Sequence, residues 1–230
     1  MKANAWLHRA VASAIVMAFL ASCAGLPAIK PLDPAETWEI AARCRAPFAE
    51  GSHRVVHALE AQIGGRQAGT LLGITLFDPS AETLHGAILT LEGFVLFDAR
   101  YDKGLVVNRA VPPFDAPHFG SNMMEDIRLL FLAPKGRLLA AGHLADYAGI
   151  CRYEVAGGAV EDVIVYHDST WEIRMYGADG GKIRSVRVLS LRNHIPEAVE
   201  LTGFQSVGYT LRMTLISTEA VGPEAVEQSK

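Results

Sequence analysis

The feature that most constrains this chain is a side-chain alternation of period two, cut at short intervals by turn residues. From about Val55 the turn signals recur at Gly64-Gly65, Asp78-Pro79-Ser80, Glu92-Gly93 and Asp102-Lys103-Gly104. In FVLFDARY, residues Val95, Phe97, Ala99 and Tyr101 fall on one face, and Phe94, Leu96, Asp98 and Arg100 on the other. A strand with this pattern buries one face, and a one-residue slip would reverse it. The same rhythm returns from Cys151 to Ser217, as in Thr170–Met175 and Val207–Leu215, with hairpin signals at Gly157-Gly158, His167-Asp168-Ser169 and Ala178-Asp179-Gly180-Gly181. Short alternating runs joined by such turns predict antiparallel meanders.

The rhythm breaks once, between the two runs. Val111-Pro112-Pro113-Phe114-Asp115-Ala116-Pro117 is excluded from a central strand because proline gives no ladder donor. Asn122, with Glu125 three residues on, then reads as a capped helix start. Met124, Ile127 and Phe131, with Met123 and Leu130, follow at helical spacing, and Pro134 and Gly136 end the run. Arg137 to Ala141 reads as one more helical turn, so 111–142 is expected to be a helical insertion lying over the sheet. An earlier helix starts at Asp33-Pro34-Ala35-Glu36, with Asp as N-cap and Pro at the first helical position. Its predicted inner face is Trp38, Ala41, Ala42 and Cys44, and Pro47 stops it near Arg45. The order predicts an α+β, mostly β domain over 33–218, a large antiparallel sheet with helices on one side. Residues 219–230 read as a flexible polar tail.

The N-terminus belongs to a different logic. Lys2 and Arg9 flank AVASAIVMAFL at residues 10–20, a run of eleven with one polar residue. A permanent membrane helix needs ~20 apolar residues for a ~30 Å core, so 1–22 reads as an export signal. The following Leu20-Ala21-Ser22-Cys23-Ala24-Gly25 resembles the lipobox of bacterial lipoproteins. That resemblance implies cleavage before Cys23, diacylglycerol on its thiol and often an acyl group such as palmitate on the new amine. Each buried methylene contributes ~0.8 kcal/mol, so two or three chains hold stably where one holds marginally. The alternative is an ordinary secretory peptide with a cysteine following by chance.

Removal of 22 residues from 230 leaves 208, with 23–32 as a Pro-containing lipidated linker. Loss of Lys2 and Arg9 takes the net charge from −4 to −6, and no basic run remains. Nucleic acid and strong electrostatic membrane binding are therefore excluded as partners. No second apolar stretch is long enough to span a bilayer. With Cys23 lipidated, Cys44 and Cys151 are left either as a disulfide or as two buried thiols; as a disulfide they would contribute ~4 kcal/mol by closing a long loop.

Catalytic signatures are missing. No G-x-S-x-G, H-E-x-x-H or C-x-x-C occurs. Gly181-Lys182 is no phosphate loop, because Tyr176 stands at the first glycine position and Ile183 at the hydroxyl position. His167, Asp168 and Ser169 are adjacent and so cannot assemble triad geometry. His53 and His57 lack an evident third metal ligand, and Glu125-Asp126 and Glu161-Asp162 read as solvated carboxylates. The sequence thus predicts a protein that is not an enzyme, with no metal and no cofactor beyond the covalent lipid on Cys23.

Gly93-Phe94-Val95-Leu96-Phe97 with Tyr101-Asp102, Pro112-Pro113 followed by Asp126-Ile127-Arg128-Leu129, and Gly208-Tyr209-Thr210-Leu211-Arg212-Met213 resemble segments of the LolA/LolB-like outer-membrane lipoproteins. The resemblance spans roughly 50–217 and is closer still to an uncharacterised lipoprotein group thought to share that fold. It implies a curved, incomplete antiparallel barrel whose helices cover a concave apolar cavity able to hold acyl chains. Phe97, Phe114, Met123, Met124, Ile127 and Phe131 are the candidate lining, since methionine adapts to variable apolar ligands. Packing of the helix onto the sheet is the simpler role for any one of them. The implied function is binding of a lipid or of a lipoprotein's acyl chain, in carriage or insertion at the outer membrane. Ala24, where retention would call for Asp, favours a lipid-anchored protein on the periplasmic face of that membrane. The alternative is a structural or assembly lipoprotein that binds another envelope protein. An enzyme acting on lipids or glycans ranks last, because it needs converging polar groups in a cleft.

Overall fold

A computed structural model of the chain describes residues 25–168, 170–204 and 208–222. Residues 1–24, on which the expected export signal and Cys23 fall, lie outside the described residues, as do Ser169 and residues 205–207 and 223–230. The first alternating run forms β2 (His53–Ile63), β3 (Arg66–Asp78), β4 (Thr83–Leu89), β5 (Val95–Tyr101) and β6 (Leu105–Ala110). The second forms β8 (Gly149–Glu154), β9 (Val160–Val165), β10 (Trp171–Tyr176), β11 (Lys182–Arg192), β12 (Ile195–Gly203) and β13 (Tyr209–Ala220). Each run is a meander, and the two join where β13 pairs with β2 from Tyr209–Ile63 to Ala220–His53. With β1 (Lys30–Pro31) and β7 (Arg137–His143) they make one antiparallel sheet of thirteen strands, in the order β1-β7-β8-β9-β10-β11-β12-β13-β2-β3-β4-β5-β6. Its edges, β1 and β6, do not meet, so the sheet is not closed into a barrel.

Two helices cover it, α1 (Pro34–Arg45) and α2 (Phe119–Phe131). The curvature follows from what α2 touches. It packs on β4, β5 and β6, while Arg128 bonds Glu161 of β9 at 2.7 Å and Asp126 bonds Arg184 of β11. Between β4 and β9 lie seven inter-strand steps, ~34 Å in a flat sheet at ~4.8 Å each. A helix is only ~10–12 Å across, so the sheet must wrap around α2. Gly86 on β4 makes the close approach possible: a Cβ there would stand 2.6 Å from Ile127 Cδ1.

The core lies between the concave face and the helices, with Trp171, Phe77, Phe97, Phe131 and Ile173 among its largest buried side chains. A smaller cluster on the opposite face, Leu144, Ala148, Ile150 and Ile164, is covered by Ile29. Cys44 of α1 and Cys151 of β8 are joined by a disulfide across 107 residues. No helix among the described residues is long and apolar enough to cross a membrane.

Several local expectations give way to tertiary structure. Arg137 to Ala141 is strand, because those residues pair with β8. Helix α2 begins at Phe119 after His118 at φ 65°, not at Asn122; Phe119 is anchored edge-on between Phe97 and Phe114. In α1, Ile40 and Cys44 face the core while Trp38 is 77% exposed, since one i, i+4 pair suffices to dock so short a helix. The linker contributes β1, which pairs with Gly142 and His143. Glu219 and Ala220, read as tail, extend β13 against β2.

Candidate functional site

Beneath α2 the wrapped sheet leaves a cavity of about 360 Å³. Its floor is the inward register of four strands: Leu59, Ala61 and Ile63 on β2, Leu71, Gly73 and Thr75 on β3, Leu201 and Gly203 on β12, and Tyr209, Leu211 and Met213 on β13. Its roof is the Pro-rich segment and α2, through Phe114, Phe119, Met123, Ile127, Leu130 and Phe131. Small side chains at Ala61 and Ala87 leave space that larger ones would fill, while Gly73 and Gly203 let Leu59 and Tyr209 lie close against the sheet. The volume lies within the ~300–1,000 Å³ typical of ligand pockets.

Four of the six predicted lining residues are there: Phe114, Met123, Ile127 and Phe131. The other two are corrections. Phe97 is buried beneath the start of α2, packed edge-on against Phe119. Met124 faces the other side of the helix, into a separate 240 Å³ hollow with Leu84, Tyr101 and Arg128. Its i+1 offset from Met123 turns it ~100° around the helix axis, out of the main cavity.

The carboxylates read as solvated are the larger correction. Asp126, Glu161 and Asp162 are buried, each against an arginine. Arg152 grips Asp162 with two bonds of 2.7 Å. Arg128 joins Glu161 to Glu125, and burial raises the Glu161 carboxyl above the ordinary carboxylate range. Burial also makes these pairs costly to break, because removal of one partner strands the other charge.

One of the pairs belongs to the cavity. Arg184 Nε donates to Asp126 Oδ1 at 2.7 Å, and its Nη2 donates to Asn122 Oδ1 at 2.9 Å. The Tyr209 hydroxyl donates to Asp126 Oδ2 at 2.6 Å. Tyr209 reaches it by lying over Gly203, its partner in the β12–β13 register, where a Cβ would meet the ring at 2.1 Å. Loss of hydration lifts the Asp126 carboxyl to about 6, although Tyr209 and Arg184 both favour its charge. Burial and that carboxylate together raise the Tyr209 phenol. At the other end His57 Nε2 donates to the Pro196 carbonyl at 2.9 Å, and burial lowers the His57 pKa, keeping the ring neutral. His53 stacks on Phe77 instead of completing a metal pair, and no cluster of three or more metal-ligating side chains occurs among the described residues.

Arg184 and Tyr209 were missed in the sequence. The available signal was register: Arg184 alternates in phase with Val186 and Val188, which places a charge on an apolar face. Such a position calls for a buried partner.

No protein-family profile matches the sequence, and no curated protein matches it. Among solved structures the chain is similar to a putative outer membrane lipoprotein-sorting protein domain from Vibrio parahaemolyticus, at TM-score 0.52 and 9% identity, covering 85% of this chain and 97% of that one. It is also similar to a DUF1329 family protein from Desulfovibrio piger, at TM-score 0.53 and 11% identity, covering 84% and 95%. A LolA superfamily protein from Nitrosomonas europaea aligns at TM-score 0.47 and 10% identity, over 83% and 96%. The likeness to the Vibrio and Desulfovibrio structures is one of fold: a wrapped antiparallel sheet, not closed into a barrel, with helices on its concave side.

Proposed function

We propose that this protein is a non-catalytic lipoprotein of the cell envelope that binds a lipid or the acyl chain of a lipoprotein in the cavity under α2. The observation that carries the reading is the 360 Å³ space itself, walled by aliphatic and aromatic side chains where a well-packed core would be filled. Each methylene moved from water into such a space gains ~0.8 kcal/mol, so an acyl chain gains on the order of 10 kcal/mol before ordering costs. The tether is Cys23, carrying diacylglycerol and an acyl group such as palmitate. The linker behind it is held by the domain, through the Pro27 carbonyl accepting from Arg152 at 3.0 Å and through Ile29 on the convex cluster. Carriage or insertion of lipid at the periplasmic face of the outer membrane is the role this combination serves.

Titration of the protein with the neutral, polarity-sensitive dye 1-aminoanthracene tests the reading. Saturable one-to-one enhancement is expected, and Ala61→Trp, which fills the cavity, should abolish it without changing the far-UV circular dichroism. Equal enhancement in the filled variant, or none in either protein, would refute a ligand-binding cavity.

A further inference from the structure

The cavity has a direction. Along β2 the exposure rises from His57 at 1% and buried Leu59, through half-buried Ala61, to Ile63 at 49%. Strand β3 runs the same way, from buried Thr75 to half-buried Leu71, and β13 from buried Leu215 to half-buried Leu211 and Tyr209. The blind end is shut by aromatic contacts, with Phe131 stacked on Phe77 at 4.5 Å and His57 at 6.2 Å from Phe131. The open end carries the polar cluster of Asn122, Asp126, Arg184 and Tyr209, and Asn122 is exposed there.

Size and charge then restrict the occupant. An apolar cavity of ~150 Å³ takes one six-carbon benzene ring, about 25 Å³ per carbon. On that scale 360 Å³ holds ~14 carbons, one chain and not two or three. Among the described residues that line the cavity, Asp126 and Arg184 are the only ones with charge, and each neutralises the other at 2.7 Å. An incoming carboxylate or phosphate would have to compete with Asp126 for Arg184 and would itself lose hydration. An uncharged ester carbonyl or hydroxyl needs only a donor. The Asn122 amide supplies one, since its oxygen is occupied by Arg184 and its NH₂ is turned away from that bond.

We infer that the cavity takes one single-chain amphiphile of ~12–16 carbons with an uncharged, hydrogen-bonding headgroup, its tail toward His57 and Phe131 and its head at Asn122 and Tyr209. A monoacylglycerol has this chemistry. The inference rests on the acyl-binding reading above and narrows it, because neither a free fatty acid nor a multi-chain lipid meets the same requirements.

Isothermal titration of the full chain, at probe concentrations below micelle formation, tests it with monomyristoylglycerol, myristate, dimyristoylglycerol and tetradecane. The expected result is one-to-one binding of monomyristoylglycerol, about tenfold or more tighter than myristate or dimyristoylglycerol, the worth of roughly one hydrogen bond or more. Asn122→Leu should reduce the advantage of monomyristoylglycerol over tetradecane while tetradecane still binds. Binding of dimyristoylglycerol or myristate as tightly as the monoester would overturn the single-chain, neutral-head assignment and leave the cavity reading intact. Failure of every probe, tetradecane included, would overturn both.

Discussion

Asp126 offers a direct measurement of whether burial or pairing governs the cavity's polar end. Its carboxyl stands at about 6 in the fold against an ordinary 3.8. At ~1.4 kcal/mol per pH unit, ionisation in the folded protein costs about 3 kcal/mol more than in the unfolded chain. The sign follows from proton counts. Below pH 3.8 both states hold the proton and the contribution to stability is fully present. Between 3.8 and about 6 the folded state keeps a proton that the unfolded chain has released, so stability falls as pH rises. Above that window the contribution is lost. Asp126→Asn keeps the shape and cannot ionise, so the difference between wild type and variant removes every other titrating group. Urea denaturation of both proteins from pH 4 to pH 8 should show the wild type losing about 2.5 kcal/mol relative to the variant, with unchanged m-values. Parallel curves, within ~0.5 kcal/mol, would refute the reasoning. They would mean that Arg184 at 2.7 Å and Tyr209 at 2.6 Å hold the carboxylate ionised against its burial.

Two further outcomes follow from the rest of the molecule. Loss of the Cys44–Cys151 bond, by reduction or by Ala at both positions, should lower the denaturation free energy by up to ~5 kcal/mol, because it closes 107 residues of chain; a change below ~1 kcal/mol would mean that α1 is fixed by packing alone. Arg128→Met should cost ~3–5 kcal/mol by stranding Glu161, whereas Arg128→Met with Glu161→Leu should recover most of it in a thermal melt. Equal losses in the single and double variants would show that the pair holds no uncompensated charge.

The part of the fold that depends on local chemistry was legible. The meanders of β2–β6 and β8–β13 follow from alternation and turns, and α1 starts at Asp33 because its Oδ1 caps Glu36 N at 2.9 Å. Where a segment's conformation depends on a distant partner, local reading failed. Residues 137–141 have no strong turn or strand signal of their own and are strand because β8 completes their hydrogen bonds. Asn122 looks like a cap, yet Phe119 starts the helix because aromatic contacts with Phe97 and Phe114 hold it.

The candidate site shows the same division. Phe114, Met123, Ile127 and Phe131 could be named from helical spacing and composition, because an apolar face has to be buried somewhere. Phe97 and Met124 share their chemistry but not the cavity, since a rotation of one residue around α2 or one strand across the sheet decides which void a side chain meets. By itself the sequence determined an antiparallel, one-face-buried sheet, an apolar covering helix and a chain without catalytic motifs, all properties of neighbouring residues. Only the tertiary structure decided that the sheet wraps far enough to leave a hollow, and that Asp126, Arg184 and Tyr209 meet at its mouth across 58 and 83 residues of chain. Contacts at that separation depend on curvature summed over many strand pairs, which no local pattern encodes.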